Sequence, residues 1–211
     1  MILIIISSKA PNPFLFDCID SLYKIQIKDS TQYKICVIDS DSDDKSSYEK
    51  INLYFPDVEI NYAKNKNYEY GAWKYGFDLY PNCDIYFTLQ DSMRIKTQID
   101  IKNLHNNAFI WENNSGYNSH VSIKEKGKEY LKLSGLNYQD VIDTNFKISY
   151  GNIFIVNNAI MKDMFDTLTI PPIDKDGSCA YERNFGLYFI LKNINTISIN
   201  KYLLKIKGGR K

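Results

Sequence analysis

The chain has 211 residues with 26 basic and 25 acidic side chains, a net charge of +1, which suits one domain with a full core and leaves little room for a second. Near-neutral charge excludes bulk binding of a nucleic-acid backbone or an anionic membrane by charge alone. Cys18, Cys36, Cys83 and Cys179 are widely scattered with no CxxC pair, so neither a zinc site nor a disulfide framework is expected, and a reducing, cytoplasmic setting is the simpler account, with peripheral membrane contact left open.

The opening "MILIII" is too short for a signal segment or a membrane span and reads as a buried strand, so no transmembrane segment is expected. A helix start follows. Asn12 can cap it, Pro13 suits its first turn, and Phe14, Leu15, Cys18, Ile19, Leu22 and Tyr23 recur at helical spacing. The stretch "YKICVIDS" is a second strand, "SSYEKINLYFP" a helix up to Pro56, "VEINYAK" a third strand, "YEYGAWKYGFDLYP" a helix and "CDIYFTLQDS" a fourth strand. This alternation predicts right-handed crossovers and an α/β fold, an open, mostly parallel central sheet with helices on both faces. In the second half, "NAFIWENNS" reads as a strand, "YGNIFIVNNAIMKDMF" as a strand and helix, and "CAYERNFGLYFILKN" as a helix with Glu182 and Arg183 near its start. The long polar stretch from Asn113 to Gly135 is expected to be a mobile lid or an acceptor surface.

Ligands of such sheets gather at the carboxyl ends of the strands, near the point where strand order reverses. The first strand ends in Ser7, Ser8 and Lys9, the second in Asp39, Ser40 and Asp41, the fourth in Gln90, Asp91 and Ser92. Three polar clusters are thereby expected on one edge. Asp and Ser after a strand also cap helices and make turns, so each cluster has a purely structural alternative.

The segments "ILIIISS", "VIDSDSDD" and "NKNYEYGAWKYGFDLYPNCDIYFTLQDS" resemble, in order and spacing, the nucleotide-binding half of glycosyltransferases of the GT-A fold, with a pattern like that of the inverting family-2 enzymes. The resemblance implies a single GT-A-like, Rossmann-like domain, with about residues 1–95 holding the nucleotide sugar and about 96–211 the acceptor. It implies that Asp39 meets the nucleobase, outside the core, that Ser7, Ser8 and Asp41 line the same pocket, and that Lys74 reaches the nucleotide. Asp91 matches the last aspartate of the DxD element, with Gln90 beside it, and is the implied ligand of a Mn2+ or Mg2+ ion on the donor diphosphate. The first DxD position is Leu89 or Gln90, and neither His105 nor His120 stands where many family members add a metal ligand. Lys205, Lys207 and Arg210 lie there instead, where cationic side chains can neutralise a leaving diphosphate or simply form a solvated basic end.

Glycosyl transfer needs a base for the acceptor hydroxyl and positive charge at the leaving phosphates. By resemblance Glu182 is the first candidate for the base and Asp176 the second, while Glu182 has a bland alternative in favouring a helix N-terminus. Trp111 is a candidate to stack on a sugar or to fill the core. The expected activity is transfer of a sugar from a nucleotide-diphosphate donor to a hydroxyl of a glycan, protein or lipid-linked acceptor. Two other readings compete. A nucleotidyltransferase of sugar-nucleotide synthesis would place a Gly-rich, basic loop after the first strand, which "SSKAPNPF" lacks; a non-catalytic nucleotide- or carbohydrate-binding module would keep the fold and lose the base.

Overall fold

The computed structural model describes residues 1–9, 13–27, 32–101, 104–117 and 121–206. Asn12, His120, Lys207 and Arg210 lie outside the described residues. In chain order the elements are β1 (Ile2–Ser8), α1 (Pro13–Ser21), β2 (Tyr33–Ser40), α2 (Ser46–Tyr54), β3 (Glu59–Ala63), α3 (Tyr68–Leu79) and β4 (Ile85–Gln90). They continue as β5 (Met93–Ile95), β6 (Asn107–Asn114), α4 (Val121–Ser134), β7 (Lys147–Asn157), α5 (Asn158–Thr167), α6 (Lys175–Leu191), β8 (Asn195–Ser198) and β9 (Leu203–Lys205).

A seven-stranded sheet runs in the order β3-β2-β1-β4-β7-β6-β8, with β5 and β9 paired antiparallel beside it. β3, β2, β1 and β4 are mutually parallel, β7 runs antiparallel to β4 and β6, and β8 is parallel to β6. The chain lays β2 and β3 on one side of β1 and then crosses to put β4 on the other. Strand order therefore reverses between β1 and β4, which opens a crevice at their carboxyl ends.

Alternation along β1 explains the two cores. Ile4 and Ile6 point to one face, where they meet Leu15, Cys18 and Ile19 of α1 and Tyr48 and Ile51 of α2. Leu3 and Ile5 point to the other, where Trp73 of α3 and Tyr181 and Phe185 of α6 pack. Because every residue from Leu3 to Ile6 is fully buried, β1 carries an unbroken apolar run instead of a half-polar one.

Beyond Gln90 the chain leaves the central sheet, since β5 turns away to pair with β9, Met93 opposite Lys205. Two expectations need correction. The polar stretch around residues 121–134 is the helix α4, because Ile123, Gly127, Tyr130 and Leu131 recur at helical spacing and bury one face. Finally, α6 begins seven residues before Glu182, since the Asp174 carboxylate accepts the Gly177 N–H at 2.7 Å and caps the helix there. Glu182 sits two turns inside the helix, beyond reach of its N-terminal dipole.

Gly186 fixes how close α6 lies to β7: a Cβ built there falls 2.2 Å from the Lys147 carbonyl oxygen and 3.0 Å from the Ile148 Cα. Both neighbours are backbone and cannot swing aside. Gly186→Ala is expected to lower stability by on the order of 3 kcal/mol in urea unfolding, the upper part of the usual overpacking range. Wild-type stability in that variant would mean the helix stands farther from the sheet than described.

Candidate functional site

The register places the predicted polar clusters side by side. Ser8 is opposite Asp39 across β1 and β2, and Ser7 is opposite Gln90 across β1 and β4. Strand alternation then divides them between the two faces of the sheet. Ser8 and Asp39 turn toward α2, whereas Gln90 turns toward α3 and α6.

On the α2 face, Asp39 is wholly buried. One carboxylate oxygen accepts the Tyr48 hydroxyl at 2.6 Å, and the other accepts the Ser42 N–H at 3.1 Å. Burial, and then its bond to Asp39, push the Tyr48 hydroxyl pKa up, and the Ser8 hydroxyl lies beside it. Asp39 was expected at a pocket wall outside the core. It is instead the buried anchor of the β2–α2 turn, because a carboxylate taken from water needs fixed donors and this turn supplies them. Asp41 is the exposed acid of the pair, at a left-handed φ of 60°, with its carboxylate 3.8 Å from the Lys66 ammonium.

On the other face a polar network crosses from α3 to α6. Gln90 Nε2 donates to Glu69 Oε1 at 2.8 Å, and the Ser178 hydroxyl donates to Glu69 Oε2 at 3.1 Å. The Lys205 ammonium donates to Gln90 Oε1 at 3.2 Å. Glu182 Oε1 accepts the Gly151 N–H at 2.9 Å, and Glu182 Oε2 lies 3.3 Å from Arg183 Nη1. Gly151 joins the two halves, since a Cβ there would stand 3.3 Å from the Gln90 amide. Burial raises the Glu182 pKa above the ordinary carboxylate value, with Glu69 adding to the rise and Gly151, Arg183 and Lys175 opposing it. The Glu182 side chain keeps 13% of its surface exposed.

Lys74 and Asp176 are not brought into this network. The Lys74 ammonium chelates both oxygens of Asp78 at 2.6 Å, one turn further along α3 and toward the amino-terminal edge of the sheet. Asp176 is half-buried in the first turn of α6, and no described hydrogen bond connects it to Glu182. Trp111 is half-buried at the rim, its ring centroid 5.1 Å from that of Tyr150. Sequence reasoning passed over Glu69, Ser178 and Gly151. The Gly-Asn pair at 151–152 inside a strand pattern was the available signal, since it marks a break in a strand.

The resemblance implies a divalent cation on Asp91, and the residues present do not fit one. Asp91 is 1% exposed in the turn after β4, and its charge helps raise the pKa of the buried Cys18 thiol, second to burial itself. Leu89, two residues earlier and on the same face, is fully buried in the apolar core. Among the described residues no group of three His, Cys, Asp or Glu side chains is placed to hold a metal. Mg2+ or Mn2+ held through one or two carboxylates needs them open to the waters and phosphates that complete its shell.

No protein-family model matches the chain, and no curated protein matches it in sequence. Solved structures do match in fold. TarS of S. aureus aligns with 98% of this chain at a TM-score of 0.59 and 10% identity. Its 1–349 fragment aligns with 98% of the chain in complex with UDP and with 100% in complex with UDP-GlcNAc, both at a TM-score of 0.59 and 11% identity. The chain spans 36% of TarS and 60% and 59% of the two fragment structures. This likeness establishes a fold shared with TarS. Among the described residues no helix is long and apolar enough to cross a membrane.

Loss of the Asp39 carboxylate removes the acceptor of both the buried Tyr48 hydroxyl and the Ser42 N–H. Asp39→Ala is therefore expected to cost roughly 2–3 kcal/mol of stability in denaturant unfolding, while Asp41→Gly, which relieves a left-handed residue, is neutral or stabilising. Equal stability of Asp39→Ala and wild type would return Asp39 to the pocket wall.

Proposed function

We propose that the protein is a glycosyltransferase that takes a sugar from a nucleotide-diphosphate donor and passes it to a hydroxyl of a glycan, protein or lipid-linked acceptor, with inversion. The observation that carries this reading is Glu182, a largely desolvated carboxylate with 13% of its side chain exposed, held by the N–H of Gly151, which lies against Gln90 at the carboxyl end of β4. Its raised pKa brings it nearer to the operating range of a general base. The UDP and UDP-GlcNAc complexes of TarS favour a nucleotide sugar as donor.

In this reading residues 1–95 hold the nucleotide and residues 96–211 present the acceptor side. Ser7 and Asp41 border the base, Ser8 lies buried beneath them beside Asp39 and Tyr48, and Gln90 lies at the diphosphate. Glu182 removes the acceptor proton while the acceptor oxygen attacks the sugar C1, and the C1–oxygen bonding pair leaves with the diphosphate. Glu69 and Ser178 hold the Gln90 amide in place. The nucleotidyltransferase alternative gains nothing from the loop after β1, which ends in a single lysine, Lys9, before the undescribed residues.

Glu182→Gln keeps the acceptor for the Gly151 N–H but cannot take a proton, so donor affinity is expected to hold while transfer falls by about a hundredfold or more. Nucleotide release with and without acceptor measures this, and transfer at the wild-type rate would remove Glu182 from the role. A non-catalytic module would bind donor and release no nucleoside diphosphate.

The pH dependence has a defined sign. The base must be ionised, so kcat/KM should fall as pH drops through a pKa above the usual carboxylate value, and Glu182→Gln should lose that limb. A carboxylate whose pKa is raised by folding withdraws stability as pH rises through the folded pKa. Glu182→Gln should therefore unfold at equal or higher denaturant concentration than wild type at pH 7.

A further inference from the structure

We infer that the Lys205 ammonium supplies the positive charge at the donor diphosphate, in place of a divalent cation. The inference rests on the glycosyltransferase reading and says how that site handles its leaving group.

Lys205 is carried to the carboxyl end of β4 by backbone pairing. β9 lies antiparallel on β5, and the Ile206 N–H donates to the Ser92 carbonyl at 2.8 Å. Its ammonium therefore hangs over the turn that resembles the DxD element. Gln90 holds it there with little freedom: the amide nitrogen of Gln90 is committed to Glu69, which leaves the amide oxygen facing Lys205. The ammonium also lies 5.8 Å from the Trp111 ring centroid and 5.6 Å from that of Tyr150. Two aromatic faces and a neutral amide orient a cation without neutralising it.

Lys205 is exposed, and no carboxylate among the described residues lies within ion-pair distance of it. Two other lysines close to this edge differ. Lys66 is near Asp41, and Lys147 pairs with Glu112 at 2.8 Å. An ammonium has three protons to donate, and one to Gln90 leaves two for phosphoryl oxygens. When the C1–oxygen bond breaks, the added negative charge appears on the leaving phosphate oxygens, where a fixed cation lowers the barrier without itself moving a proton. The cation arrives with the chain and does not depend on Asp91, which is buried.

The test is calorimetric binding of UDP, GDP, CDP and dTDP, each beside its monophosphate, in EDTA and then in excess Mn2+. Wild type should bind one diphosphate in EDTA, and Mn2+ should change its affinity by less than about threefold, since no ion completes the site. Lys205→Ala should weaken that diphosphate by about tenfold to a hundredfold, the scale of a charge-assisted hydrogen bond. It should weaken the monophosphate far less, and Lys205→Arg should recover part of the loss. Because Lys205 is exposed, thermal unfolding of both variants should match wild type. Diphosphate binding that EDTA abolishes, or that Lys205→Ala leaves unchanged, overturns the inference and leaves the glycosyltransferase reading standing. Failure of wild type to bind any of the four diphosphates under both conditions overturns that reading and the inference with it.

Discussion

The candidate site depends on a break in β7. Gly151 and Asn152 both take left-handed backbone angles, φ 63° and 55°, in the middle of a strand that runs antiparallel to β4. Ladder pairing between β4 and β7 stops at Phe87 opposite Ile155, and side chains take over from there. The Asn152 carbonyl lies 3.1 Å from both the Trp73 indole nitrogen and the Thr88 hydroxyl oxygen, and the same hydroxyl accepts the Phe154 N–H at 2.9 Å. These fully buried contacts fasten α3, β4 and β7 together at one point. They also turn the Gly151 N–H out of the sheet toward Glu182 and leave room for the Gln90 amide, which a Cβ at 151 would crowd. A strained pair of residues thus connects core packing to the geometry of the crevice.

The carboxyl edge of the sheet is used on both faces, and strand alternation decides how. Asp39, directed toward α2, is spent on holding the β2–α2 turn, and Asp91 is buried in the turn after β4. Asp41 stays exposed at the end of β2, while Glu69 and Glu182 are on helices at the opposite face, tied together through Gln90 and Gly151. Cations surround that second group: Arg183 beside Glu182, Lys205 on Gln90, and Lys175 over the Tyr68 ring at 5.9 Å. A group whose acids are half-buried and hydrogen-bonded, with several cations around it, suits an anionic donor better than a divalent metal.

Much of the fold was legible in the sequence because its signals are local. The run "ILIIIS" could only be a strand buried on both sides, and the alternation of strands and helices up to Gln90 fixed the crossovers. The strand ends of Ser8, Asp39 and Gln90 were correctly brought to one edge. Their directions were harder to read. Whether a terminal Asp faces a crevice or a helix depends on the partner across the face, and Tyr48, nine residues after Asp39, gives no sign of that role in the sequence. Glu69 was hidden because its partners, Gln90 and Ser178, lie 21 and 109 residues away. Helix α4 was hidden by its polar composition, since only one narrow face is apolar. Lys74 sits at a helix position that reaches a nucleotide in the resembling family, but here Asp78 one turn on captures its charge.

The most direct measurement is a crystal structure of the protein with a bound nucleotide sugar, UDP-GlcNAc being the first choice from the fold match to TarS. The account expects the nucleotide across the carboxyl ends of β1, β2 and β4. The diphosphate should lie within hydrogen-bonding distance of Lys205, and the sugar C1 should face Glu182. A nucleotide seated elsewhere, for example in the hollow beside Ile2, Tyr33 and Ile99 at the opposite edge of the sheet, would contradict it.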